Sequence, residues 1–93
     1  MTNGENQSIS VFEKYVGNIS QLKKVCKLGE ELAELAIAIA NNDYENIEEE
    51  IGDCAAILLH IAYKQNPKNS LTWYIMQAAE KMENRNQKIN HEK

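Results

Sequence analysis

Between Leu28 and Tyr63 the chain has no lysine and no arginine. Nine of its fourteen acidic residues fall in that 36-residue stretch, so the formal net charge of -4 hides a strong asymmetry. Basic residues are too few for the cationic surface that a phosphate backbone demands, which argues against a nucleic-acid polymer as partner. Cysteine is scarce too. Cys26 and Cys54 both lie in apolar stretches and read as buried thiols, not as a disulfide framework. No apolar run approaches the roughly 18–20 residues of a membrane span, so no membrane partner is expected. The polar segment from Met1 to Ser10 lacks a signal-peptide pattern, and a cytoplasmic protein is expected. Hydrophobic residues at 43% are too many for a disordered chain.

Strand signals are nearly absent, whereas helical periodicity runs through most of the 93 residues. There is one proline, Pro67, and the four glycines are scattered. The pattern predicts a flexible tail over 1–8, one helical domain over 9–88 and a flexible tail over 89–93. Helix one is expected at about 9–16, broken by Gly17-Asn18. Ser20 is a plausible N-cap for a second helix over about 21–40. Asn41-Asn42-Asp43 reads as a turn, with Asp43 capping a third helix over about 44–65. Pro67 interrupts the chain again, and Ser70 caps a fourth helix over about 71–87. The fold class is therefore all-α, an antiparallel bundle of about four helices.

The two central helices are apolar around most of their circumference. Leu28, Leu32, Leu35 and Ile39 form one stripe of helix two. Ile47, Ile51, Cys54, Leu58 and Ile61 form the main stripe of helix three, while Leu59 points the other way. Helices apolar on several sides are buried on several sides. A chain of this length cannot readily do that alone, so a homodimer or homotetramer is expected to complete the bundle.

Glu30, Glu31 and Glu34 occupy one wedge of helix two. They are spaced i,i+3 and i,i+4, where like charges destabilise. Glu50 and Asp53 are spaced i,i+3 on helix three and border its apolar stripe. An antiparallel turn between Glu34 and Glu50 lets the two groups face each other at similar height. Carboxylates converging without lysine or arginine need protons or cations. Oxygen-only ligands suit Mg²⁺, Mn²⁺ or Ca²⁺, and Mg²⁺ commonly binds carboxylates together with substrate phosphates. Glu45, Glu48 and Glu49 read instead as a solvated face with favourable first-turn charges. A di-iron bundle would need Glu-x-x-His pairs. His60 follows Ile57 and His91 follows Lys88, so neither fits, and His60 is expected at a helix surface or interface.

The string Lys27-Leu28-Gly29-Glu30-Glu31-Leu32-Ala33-Glu34-Leu35, followed by Glu50-Ile51-Gly52-Asp53, resembles the EExxE…ExxD signature of the MazG-like all-α nucleoside triphosphate pyrophosphohydrolases. The segment from Ala79 to Arg85 resembles that family's K-x-x-x-R element. The resemblance implies Glu31, Glu34, Glu50 and Asp53 as Mg²⁺ ligands, with Mn²⁺ as substitute. It implies Glu30 as a supporting catalytic acid, and Lys81 and Arg85 as contacts to substrate phosphate. The implied reaction cleaves a (d)NTP to a monophosphate and pyrophosphate. Some relatives carry glutamine three residues before the Lys27-Leu28 pair, where this chain has Lys24, so base or phosphate contacts from helix two are not carried over. Lys23, Lys24 and Lys27 project on the same side as the acidic wedge and can guide a polyanion or pair with it. Trp73, Tyr74, Tyr63, Phe12 and Tyr15 are candidates for base stacking or for packing. Two other readings stand beside this one. The first is a non-catalytic acidic helical interaction module. The second is a metal-dependent hydrolase of another phosphorylated nucleotide such as an alarmone.

Overall fold

A computed structural model describes residues 1–92, with side chains through residue 87. The chain forms four helices: α1 (Asn3–Val16), α2 (Gln21–Ala40), α3 (Tyr44–Gln65) and α4 (Leu71–Glu92). No strand occurs among the described residues. The last residue of the expected tail over 89–93 and the His91 side chain lie outside them.

The caps follow local chemistry. Ser20 Oγ accepts from the Lys23 amide at 3.2 Å, Asp43 Oδ1 from the Asn46 amide at 3.4 Å, and Ser70 Oγ from the Trp73 amide at 3.1 Å. Each satisfies one of the orphan donors of a helix start. Two boundaries differ from the sequence expectation. Helix α1 begins at Asn3, not near Ile9, because Thr2 Oγ1 caps the Glu5 amide at 3.1 Å and Glu5 places an acid in the first turn. Helix α4 runs on to Glu92, past residue 87, where no proline or glycine stops it.

The α2–α3 turn sets the geometry of the acids. Asn42 takes a left-handed φ of 53°. The Asp43 amide donates to the Ala38 carbonyl at 3.0 Å and the Asn42 amide to the Ile39 carbonyl at 3.1 Å. These are the two bonds of a Schellman stop, and asparagine tolerates the required conformation better than most residues. With so short a reversal, α3 returns along α2.

Helix α3 is the hub and packs against α2, α1 and α4. The core comprises Ile9, Ala38, Cys54, Ile57, Leu59 and Ala62. The side of α2 turned inward is not the stripe that its hydrophobicity selects. Its buried residues are Lys24, Glu31 and Ala38, and its half-buried ones Gln21, Leu28 and Leu35. These alternate at three and four residues, the spacing of a helix–helix seam. Leu32 and Ile39, expected inside, are 49% and 55% exposed. Ile51 and Leu58 of α3 are exposed as well, whereas Leu59 is buried. Cys54 is a buried thiol as expected, but Cys26 is exposed. A mixed polar and apolar seam thus occupies the α2–α3 contact, and a large share of the apolar surface faces outward.

Candidate active site

The seam brings Glu31 of α2 together with Glu50 and Asp53 of α3. One carboxylate oxygen from each lies within 4.8 Å of the other two. Glu31 is buried at 8% exposure, Glu50 is half-buried and Asp53 is exposed, so the group opens to one side. The seam spacing causes this, because Glu31 occupies a position where a coiled coil would carry leucine.

A buried carboxylate costs free energy unless it is paired, and three together cost more. The structure relieves this in two ways. Lys27 Nζ lies 3.2 Å from Glu31 and 3.5 Å from Glu30. A proton shared with Glu31, together with desolvation and the negative charge of Glu31 and Glu34, pushes the Glu50 carboxyl up to about 7. The same hydrogen bond from Glu50, and then the Lys27 ammonium, hold the Glu31 carboxyl below its ordinary range. Glu50 Oε2 nonetheless remains buried without a hydrogen-bond partner. An all-oxygen donor set with an unpartnered buried oxygen fits a hard divalent cation.

The other residues singled out in the sequence are placed differently. Glu34 is exposed and faces Glu50 across a smaller cavity of about 290 Å³ near the α2–α3 turn. Glu30 is exposed and paired with Lys27. Lys81 and Arg85 lie on the exposed part of α4, which packs against α3 but not α2 among the described residues. A single chain therefore does not bring them into the acidic group.

A larger cavity of about 590 Å³ adjoins the group, with Glu31 and Asp53 at its edge. Phe12 and Val16 of α1, Ile19 of the following turn, and Ala56 and Ile57 of α3 form its apolar wall. Lys23, Lys24 and Lys27 line it from α2. Its volume falls in the range of small-molecule sites, which are mostly apolar with a few placed polar groups.

His60 also lines this cavity. Of the two places expected for it, helix surface or interface, it takes the second: it is fully buried at 0% exposure where α1 meets α3. Its Nε2 lies 2.8 Å from Glu13 Oε1, and Lys64 Nζ lies 2.9 Å from the same oxygen. Phe12 packs on the imidazole at 5.2 Å between ring centroids. The pairing with Glu13 is what makes burial of His60 tolerable, and it ties α1 to α3 beside the site. Of the aromatic candidates, Phe12 alone lines the cavity. Trp73 and Tyr74 pack edge to face on each other at 5.0 Å, and Tyr63 stacks beside His60 at 6.4 Å. Phe12 of α1 was among the aromatic candidates of the sequence, whereas Val16 beside it carried no chemical signal.

No curated protein and no solved structure matches the chain significantly. A family model does: that of the MazG nucleotide pyrophosphohydrolase domain matches residues 20–90, which takes in the whole acidic group and most of α4. With four helices, a carboxylate group across the α2–α3 seam and a match over most of its length, the chain belongs to the MazG nucleotide pyrophosphohydrolase domain family.

Proposed function

We propose that the protein hydrolyses a nucleoside triphosphate between its α and β phosphates, in a Mg²⁺-dependent reaction that yields a monophosphate and pyrophosphate. The observation that carries this reading is the convergence of Glu31, Glu50 and Asp53 within 4.8 Å. Those three residues, with Glu34 flanking Glu50, would hold Mg²⁺, or Mn²⁺ in its place. When bound, the cation supplies Lewis-acid polarisation of phosphoryl oxygens and an activated water.

The chain's own residues do the rest. Glu50 would serve as a ligand in its deprotonated form, so cation and proton would compete for it. Glu30, exposed beside the group, would orient a water. Lys23 and Lys27 at the edge of the adjoining cavity attract the polyphosphate. The apolar wall, with Phe12, takes the base.

Lys81 and Arg85 retain their proposed role as phosphate contacts only if another copy of the chain supplies α4. Assembly into a homodimer or homotetramer belongs to the same reading. The radius of gyration is 16.1 Å, against about 12 Å for a compact chain of this length. Leu32, Ile39, Ile51, Ile75, Met76 and Met82 are all exposed large apolar residues. No helix among the described residues is long and apolar enough to cross a membrane. A cytoplasmic location is proposed with this reading.

Product identification across the common NTPs and dNTPs with Mg²⁺ tests it. Pyrophosphate plus monophosphate is expected. Orthophosphate release contradicts the reaction type, and absence of any product favours the acidic interaction module. Turnover of an alarmone alone favours the other hydrolase.

A further inference from the structure

Lys24 is 6% exposed, on the inward side of α2, and lines the larger cavity. A lysine ammonium has three N–H donors and no acceptor. One donor goes to Gln21 Oε1 at 3.1 Å. No acceptor takes the other two among the described residues, and no carboxylate forms an ion pair with Lys24; the Glu13 carboxylate, engaged with His60 and Lys64, acts on it only at longer range. The Gln21 amide is itself fixed, since its Nε2 donates to the Ile61 carbonyl at 2.9 Å. Its Oε1 is thereby committed to Lys24 and holds the ammonium in place. Burial, and then the nearby charge of Lys64, hold the Lys24 ammonium below the usual lysine range. A buried donor of this kind is costly until an acceptor reaches it.

Its place in the cavity indicates what that acceptor is. Lys24 and Glu31 are seven residues apart on the same side of α2, which is two turns and about 10.5 Å at 1.5 Å per residue. That separation is of the order of a nucleoside's length. With phosphates at Glu31 and Asp53, the base edge remote from the sugar arrives near Lys24, against the wall formed by Phe12 and Ile57.

We propose that Lys24 is the specificity-determining residue of this site: its ammonium donates to a ring carbonyl on the remote edge of the base, so the cavity favours uracil, thymine and guanine nucleotides over those of cytosine and adenine. Cytosine and adenine carry an exocyclic amino group at that position, which is a donor facing a donor. The inference rests on the acidic group being the phosphate end of the site, as in the proposed function.

Calorimetric titration with non-hydrolysable α,β-imido analogues of dUTP and dCTP, in Mg²⁺, tests it without requiring turnover. The intact protein is expected to bind the dUTP analogue about tenfold or more tightly than the dCTP analogue, the scale of one charged hydrogen bond. Lys24→Met is expected to bring the two within about threefold, a shrinkage toward no preference of that same bond's contribution. Lys24→Gln keeps a donor, adds an acceptor and is expected to fall between; it carries the test should Lys24→Met lose its helical circular dichroism. Equal binding by the intact protein, preference for the dCTP analogue, no binding of either, or a preference that persists in both variants overturns the inference. Pyrophosphate assays separate it from the reaction itself. Turnover with no carbonyl preference leaves the reaction standing and removes the role of Lys24. Selective binding without turnover does the reverse.

Discussion

Glu31 and Glu50 meet across the α2–α3 seam with their carboxylate oxygens inside a 4.8 Å group, and the neighbouring Glu31 with desolvation pushes the Glu50 carboxyl up to about 7. The pair stands where two helices would ordinarily bury leucine against leucine. Such a position is a standing destabilisation that a cation would relieve.

Replacing ligands should therefore impair chemistry without harming the fold. Glu34→Gln and Asp53→Asn, both at exposed positions, are expected to reduce pyrophosphate release by about tenfold to a hundredfold, the range seen when even a partner that orients a metal ligand is lost. Far-UV circular dichroism should be unchanged. Unaltered turnover in both variants would falsify the assignment of the acidic group.

The raised Glu50 carboxyl makes stability depend on pH. Its value in the folded protein, about 7, lies above the ordinary 4.5, so the folded state binds the proton more tightly than the unfolded one. The stability tied to that proton is present at low pH and is lost as pH rises from about 4.5 through about 7. Mg²⁺ should act in the opposite sense, binding more weakly below about 7 because it competes with the proton. Melting temperatures measured with and without Mg²⁺ between these limits should diverge as pH rises. A divergence that also appears in Glu50→Gln would assign it to other groups.

His60 is the buried polar anchor of α1 on α3. His60→Ala empties a fully buried side chain and is expected to cost about 2–4 kcal/mol, as for other large-to-small changes in a core. Glu13→Ala leaves the His60 Nε2 and the Lys64 ammonium without their shared partner, and is expected to lower the melting temperature by several degrees. Urea denaturation of the first variant and a thermal scan of the second measure these. Wild-type stability in both would mean that α1 is held by apolar contact alone.

The outward apolar residues predict self-association. Sedimentation equilibrium should report a dimer or tetramer, and Ile39→Glu or Ile75→Glu should shift it toward the monomer by placing a charge in a desolvated contact. If Lys81 and Arg85 reach the acids only from another copy, the same variants should lose turnover together with assembly. A strictly monomeric and active protein would remove both that contact and the oligomer.

Helix count, the three internal caps and the α2–α3 turn were legible in the residues, because each rests on chemistry within about four positions of the chain. The acidic candidates were legible for a similar reason: thirty-six residues without a basic side chain leave carboxylates that spacing alone can sort onto helix faces. Periodicity misjudged which side of α2 turns inward. It selects the most apolar stripe, with Leu32 and Ile39, whereas α3 packs on the side bearing Lys24, Glu31 and Ala38. An apolar stripe on a helix reflects a preference for any apolar surface and does not say whether that surface belongs to the same chain. The tertiary structure alone decided that Glu31, Glu50 and Asp53 meet, that Glu34 and Glu30 stay at the rim, and that Lys81 and Arg85 stand apart. It also decided that Lys24 and His60 are buried. Contacts such as Glu13 with His60, 47 residues apart, depend on how whole helices cross, and no local pattern encodes that.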